Sequence, residues 1–400
     1  MADSTATTPD VFAPAQLGPI TLRNRIVKAA TFEGMTPKGL VTDDLIEFHR
    51  KVAAGGVGLT TVAYLAVAPE GRTDRHVIRL RDEAAPGLRD LTDAVHAAGG
   101  AVSGQIGHAG PVANAVSNRV PSLAPSKMFS PLGFKMIKAC TDADIARITD
   151  DYARGAALMA ATGFDAIEIH LGHNYLLSSF MSPKLNKRKD QWGGSLDNRA
   201  RFARQVVRAV RDAVGRDLAV IAKLNMADGV PGGLWLEESV EIARMLEADG
   251  ALDALELTGG SSLANPMYLF RGEVPIREFA ATQPPVVGFG LRLLGDRFMK
   301  SYPFEEAFFL PYARQFRDAL TMPLILLGGI NRVDTMQHAM AEGFAFVAMG
   351  RALLREPDLI TKMQDGRRDE SLCIHCNKCM PTIYTRTRCV LVEGPPPPRH

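Results

Sequence analysis

Two histidines and a tyrosine within the run EIHLGHNYLL are the side chains of this sequence best placed to do acid–base chemistry. His170 and His173 are three residues apart, so both imidazoles can turn one N–H toward a single oxygen, and the phenol of Tyr175 can donate a proton beside it. Any one of these residues alone reads more simply as a satisfied core or loop side chain. A second cluster, CIHCNKCMPTIYTRTRC, spaces Cys373, Cys376, Cys379 and Cys389 as C-x2-C-x2-C-x9-C. Thiols this close suit a metal centre better than a distributed disulfide framework, and three ligands so near each other suit an iron–sulfur cluster better than zinc. Reduced structural thiols are the alternative. Cys140 has no evident partner.

Short apolar, β-branched runs predict strands at 26–30, 58–63, 101–105, 166–170, 219–224, 254–257, 324–327 and 346–349. Between them, helical spacing predicts helices at 42–54, 87–98, 141–162, 195–214, 236–249, 312–320, 332–342 and 357–364, several ending at a glycine: Gly55, Gly99, Gly163, Gly250 and Gly343. Eight alternations imply parallel pairing through crossover helices, and closing them gives an α/β fold of the (β/α)8 TIM-barrel type, a single domain without exposed sheet edges. A doubly wound open sheet is the competing architecture. Residues 106–140 read as a loop or hairpin over the barrel mouth, and residues 259–311, with Tyr268, Phe270, Phe298 and Tyr302, as a cap over a pocket. Surface excursions explain both stretches equally well. The division is a barrel over 1–372, a Cys-rich segment over 373–392 and an extended Pro-rich tail over 393–400.

Lys+Arg 46 against Asp+Glu 44 gives a net charge of +2 with no basic run, which excludes a nucleic-acid footprint and speaks against a membrane surface. The amino terminus lacks the pattern of a signal peptide and no stretch has the length of an apolar span, so a cytoplasmic location is expected. A hydrophobic share of 46% supports a large core, and the oligomeric state, a homo-oligomer included, is not written in the sequence.

The segment from Asp165 to Phe202, DAIEIHLGHNYLLSSFMSPKLNKRKDQWGGSLDNRARF, resembles the fourth strand and following loop of the old yellow enzyme family. LGPITLRNRIVKAAT resembles that family's first strand, which implies that the backbone around Ala29, Ala30 and Thr31 faces a flavin edge. VAYLAVAPEGR resembles the second strand, with Tyr64 where a small residue is commoner. The resemblance further implies that Gln105 in SGQIGHAG bonds the flavin pyrimidine and that Lys223 in AKLNMADG sits beside flavin N1 and O2, where relatives often carry arginine. A lysine there supplies a point charge in place of a planar fork. Gly328, Gly329, Gly350 and Arg351, in LILLGGI and FVAMGRALLREPDL, match the family's FMN phosphate site, with Arg351 as the charge partner.

What the resemblance implies is an FMN-dependent oxidoreductase with NAD(P)H as reductant and a small-molecule substrate, an activated alkene such as an α,β-unsaturated carbonyl. His170 and His173 would polarise the carbonyl oxygen and Tyr175 would protonate the α-carbon, with both half reactions at one site. The Cys motif is similar to the [4Fe–4S] segment of 2,4-dienoyl-CoA reductases and trimethylamine dehydrogenases, although their later cysteines lie further along. With the sequence ending at His400, soon after Cys389, no second redox domain like those of the relatives is expected. An iron–sulfur flavoprotein of that kind is the alternative function, and a flavin carrier without turnover is a third reading.

Overall fold

A computed structural model describes residues 8–130, 135–282 and 285–395. All eight expected strands form: β1 (Ile26–Lys28), β2 (Leu59–Ala66), β3 (Ala101–Gly107), β4 (Ala166–Leu171), β5 (Ala219–Asn225), β6 (Ala254–Thr258), β7 (Leu324–Leu327) and β8 (Phe346–Met349). They close into one parallel barrel in the order β1-β2-β3-β4-β5-β6-β7-β8, with β8 paired back to β1. Strands buried on both faces need no polar alternation, which is why these runs read as continuous apolar segments.

Inside the barrel, Val27, Ala166, Ala219, Ile221, Ala254, Ile325, Phe346 and Ala348 fill the lower layers. Small residues on some strands face larger ones on others, as a tapering interior requires. A hairpin that the sequence pattern did not predict, Ala15–Leu17 paired antiparallel with Ile20–Leu22, joins this cluster through Ala15, Leu17 and Leu22 and plugs the amino-terminal end. The open end is therefore the carboxyl end of the strands, where the loops carry the polar residues.

The surrounding helices start at side-chain caps. Thr42 accepts from Leu45, Ser195 accepts from Asn198, and Thr141 forms a reciprocal capping box with Asp144. Gly163 and Gly343, at φ +86° and +91°, turn the chain from helix into the next strand, a left-handed step that side chains resist. At the first helix the left-handed residue is Gly56, at φ +105°, and Gly55 only closes the last turn.

Two insertions depart from plain loops. Residues 106–140 hold a short helix, Ala115–Asn118, and three short strands, Leu123–Ala124, Met128–Ser130 and Lys135–Ala139. Residues 259–311 hold helices Ile276–Thr282 and Pro285–Phe298, whose Pro and Gly content hid their period. The Phe298 side chain and residues 396–400 of the expected tail lie outside the described residues. Among the described residues no helix is long and apolar enough to cross a membrane.

Candidate active site

β4 alternates in and out with period two, so Glu168 and His170 share the interior face with Ala166, and His170 stands at the top of it. His173 and Asn174 follow at φ +59°, bending the chain across the mouth. That bend is held by the His173 N–H donating to Asn225 Oδ1 at 3.1 Å and by the Ser262 N–H donating to the His173 carbonyl at 3.1 Å. As a result His173 Nδ1 lies 3.4 Å from His170 Nε2, while its Nε2 lies 3.0 Å from Thr258 Oγ1. With Thr258 donating to Nε2, the His173 proton sits on Nδ1, and both facing nitrogens can then donate to an oxygen placed between the rings.

Tyr175 packs edge-on against His170, with ring centroids 4.5 Å apart, and 5.4 Å from Tyr64. Its hydroxyl enters no hydrogen bond among the described residues. Burial lowers His170 well below an ordinary imidazole, helped by His173 and Lys223, and burial with Lys223 pushes His173 down to about 3. Burial also raises Tyr175, so the phenol keeps its proton. The three groups amount to two neutral donors beside a protonated acid.

Below them lies a charged layer. Gln105 Nε2 donates to Glu168 Oε1 at 2.6 Å, and Lys223 Nζ donates to the same oxygen at 3.0 Å. Lys223 Nζ also lies 2.9 Å from Glu256 Oε1, an ion-pair contact without an aligned N–H, and all four side chains are almost fully buried. Burial opposes the Lys223 charge, but the two carboxylates outweigh it and raise its pKa. At the neighbouring edge Lys28 Nζ donates to Thr31 Oγ1 and Glu33 Oε1, both at 2.9 Å, just beyond Ala29 and Ala30. Tyr64 contributes a ring face only, because its hydroxyl donates to the Gly71 carbonyl at 2.9 Å and accepts from the Thr73 N–H at 2.7 Å.

The loops after β7 and β8 are shaped by glycine. A Cβ on Gly328 would lie 2.6 Å from the Phe309 ring, and one on Gly329 2.7 Å from the Glu305 carbonyl, with φ at +108° and +77°. Gly350 faces Thr31, so the first and eighth strand ends meet there. The backbone N–H groups of Gly329, Gly350 and Arg351 enter none of the described backbone hydrogen bonds, which leaves a set of donors suited to a phosphate.

Arg351 is directed elsewhere than its expected role alone implies. Its guanidinium donates to Asn377 Oδ1 and, at 2.8 Å, to the Arg271 carbonyl, which turns it toward the cysteines. The sequence could not show this, because Asn377 arrives from a segment 26 positions later. Burial lowers Arg351, offset by Cys373, Cys379 and Cys376.

All four thiols, Cys373, Cys376, Cys379 and Cys389, line one cleft together with Arg351 and Arg355. Among the described residues no three Cys, His, Asp or Glu side chains are gathered around a single-ion site, and a cube of iron and sulfide takes its four ligands from further apart. Burial raises Cys373, and raises Cys379 to about 12, so these two thiols keep their protons when no metal is bound, and the two arginines offer charge to offset thiolates. The donor set fits a [4Fe–4S] cluster. Cys140 is buried far from this cleft in sequence and packs in the main core, with burial raising it to about 12.

The fold brings His170, His173 and Tyr175 together over Gln105 and Lys223, with the glycine loops at one side. Sequence reasoning missed Glu168, Glu256, Thr258 and Asn225. A single acid on the interior face of an otherwise apolar strand, as in AIEIHL and ALELT, was the available signal for the two carboxylates.

Residues 10–257 match the model of the NADH:flavin oxidoreductase / NADH oxidase family. The chain is 62% identical over 391 residues to a 4,4'-dithiodibutanoate disulfide reductase of Rhodococcus erythropolis, covering 98% of this chain and 97% of that protein. It is 33% identical to a metal reductase of Desulforamulus reducens, where 94% of this chain spans only 52% of the relative. A solved structure of 2-naphthoyl-CoA reductase superposes with a TM-score of 0.81 at 26% identity, covering 96% of this chain and 56% of that one. The chain thus spans nearly all of the first relative and about half the length of the other two.

Proposed function

The chain belongs to the NADH:flavin oxidoreductase / NADH oxidase family, and from that premise we propose that it reduces an activated carbon–carbon double bond with electrons from NAD(P)H. The observation that carries this reading is the pair of facing imidazole nitrogens 3.4 Å apart with a protonated phenol edge-on against one of them.

When bound, FMN supplies hydride transfer between the nicotinamide and the substrate. Gln105 and Lys223 would hold its pyrimidine, the backbone of Ala29, Ala30 and Thr31 and the ring of Tyr64 would border it, and the backbone N–H groups of Gly329, Gly350 and Arg351, beside Gly328, would receive its phosphate, the Arg351 guanidinium being turned toward the cysteines. His170 and His173 donate to the carbonyl oxygen of an α,β-unsaturated substrate and withdraw charge from the double bond. Tyr175 gives its proton to the α-carbon. One open mouth serves nicotinamide and substrate in turn, so ping-pong kinetics follow.

A second reading is reduction of an organic disulfide, favoured by the Rhodococcus relative that matches almost end to end. The same donors would then stabilise a departing thiolate. The cysteine cleft is proposed to hold a [4Fe–4S] cluster, and no step above depends on it. Stopped-flow mixing of NAD(P)H-reduced protein with 2-cyclohexenone or with 4,4'-dithiodibutanoate tests the assignment. Rapid flavin reoxidation by the enone supports the first reading, and reoxidation by the disulfide alone replaces it with the second.

A further inference from the structure

We propose that Glu256 is the proton-carrying member of the Glu256–Glu168 pair beneath the flavin, and that at alkaline pH it gives up that proton with oxidised FMN and regains it as FMN is reduced. The proposal rests on the FMN reading above and adds a proton-carrying role to two carboxylates described so far only as counter-charges to Lys223.

The geometry assigns the proton. Glu168 Oε1 receives two donors, Gln105 Nε2 at 2.6 Å and Lys223 Nζ at 3.0 Å, which stabilise it as a carboxylate. Glu256 has only the ion-pair contact to the same ammonium at 2.9 Å, and neither of its oxygens has an aligned donor. Glu168 Oε2 also lacks a partner. Both carboxylates are 0% exposed, so leaving three oxygens unmet and two negative charges on one ammonium is costly. A proton on Glu256 resolves this. Its O–H can donate to Glu168, and what remains is one carboxylate balanced by one ammonium.

The charged groups facing Glu256 are Lys223 from β5 and Glu168 from β4, while its register partner on β7, Ile325, is apolar. Lys28 feels this layer through both Lys223 and Glu168, and the two histidines feel it through Lys223. Burial, with Glu168 adding to it and Lys223 opposing it, raises Glu256 to about 8. Reduction of FMN places negative charge beside Lys223, which increases the proton affinity of Glu256 further. Above pH 8 Glu256 is therefore ionised with oxidised FMN and protonated with reduced FMN. The electrons come from NAD(P)H, and the proton is taken from solvent on reduction and returned on reoxidation, so nothing else is consumed.

The test is proton uptake on photoreduction of the FMN-loaded protein in weak buffer with a pH indicator. At about pH 9 the wild type should take up about one more proton per flavin than Glu256→Gln, and at about pH 7 the two should agree. Equal uptake by both at each pH overturns the proposal. If Glu256→Gln fails to fold or to load FMN, the reduced-minus-oxidised infrared spectrum of the wild type at about pH 9 decides the matter. A new protonated-carboxyl band supports the proposal, and no such band overturns it. Protein that binds no FMN at all defeats the functional reading as well, whereas flavin-loaded protein lacking the pH-dependent uptake defeats only this one.

Discussion

Replacing Tyr175 with phenylalanine separates the chemistry of this site from its architecture. The hydroxyl makes no hydrogen bond to the described residues, while the ring meets His170 at 4.5 Å and Tyr64 at 5.4 Å. Phenylalanine keeps both ring contacts and orphans no partner, so stability should change by less than about 0.5 kcal/mol. A positioned general acid contributes on the order of 10² to 10⁴ in rate, which is about 2.7 to 5.4 kcal/mol of barrier. The loss should fall on one half reaction only, because reduction of FMN by NAD(P)H asks no proton of Tyr175. Stopped-flow absorbance follows the two halves separately: bleaching by NAD(P)H, then reoxidation by 2-cyclohexenone. The substrate class decides the size of the second effect. A carbanionic α-carbon needs the proton, whereas a departing thiolate of pKa about 8.5 is stable enough to leave with little help, so a disulfide substrate should lose less than about tenfold. Equal slowing of both halves, or enone reduction that survives the substitution intact, would refute the assigned role.

Other perturbations reach the remaining parts of the site. Thr258→Val removes the group 3.0 Å from His173 Nε2 that sets its tautomer, and a spectral titration with a phenol should show affinity about tenfold weaker, the value of one hydrogen bond near 1.4 kcal/mol. Because His170 and His173 both lie below the ordinary imidazole range, the latter at about 3, they stay neutral as pH falls through 6.5, and phenol affinity should be flat from about pH 8 to pH 5. An inflection near pH 6.5 would contradict the neutral pair. Gly329→Ala forces a side chain into a left-handed position 2.7 Å from the Glu305 carbonyl, so thermal unfolding should reveal a loss of about 1 to 3 kcal/mol and gel filtration should show FMN depleted. Protein purified without oxygen should carry iron and acid-labile sulfide that Cys379→Ser lacks, and a full iron content in that variant would remove Cys379 from the ligand set.

The barrel was legible because its strands are buried on both faces, so eight runs such as AVIAKLN and FVAM stand out against capped amphipathic helices. The hairpin at Ala15–Leu17 and Ile20–Leu22 was not, since three-residue strands leave no period to detect. His170, His173 and Tyr175 were legible because one short loop carries them all. Their partners were not, because Thr258, Asn225 and Glu256 come from β5 and β6, and only barrel closure makes them neighbours. The same limit applies to Arg351, whose position after β8 was readable but whose contact with Asn377 was not.

The charged layer and the histidine pair are parts of one electrostatic arrangement. Lys223 lowers the proton affinity of both imidazoles, after burial in each case and after His173 as well for His170, and so helps hold them as neutral donors. In the proposed reaction a neutral imidazole would polarise a carbonyl without competing to protonate its carbon, and that would leave proton delivery to Tyr175, which burial keeps protonated. Were Lys223 unshared, its full charge would act on the flavin; divided between Glu168 and Glu256, it still repels a proton from the histidines above while offering less net charge around itself. Replacing Lys223 with methionine should therefore do two things at once: raise the pKa of His173 and weaken the hold on FMN. An NMR titration of the FMN-free variant that leaves His173 as hard to protonate as in the wild type would show that burial alone keeps the pair neutral, and the link between the two layers would fail.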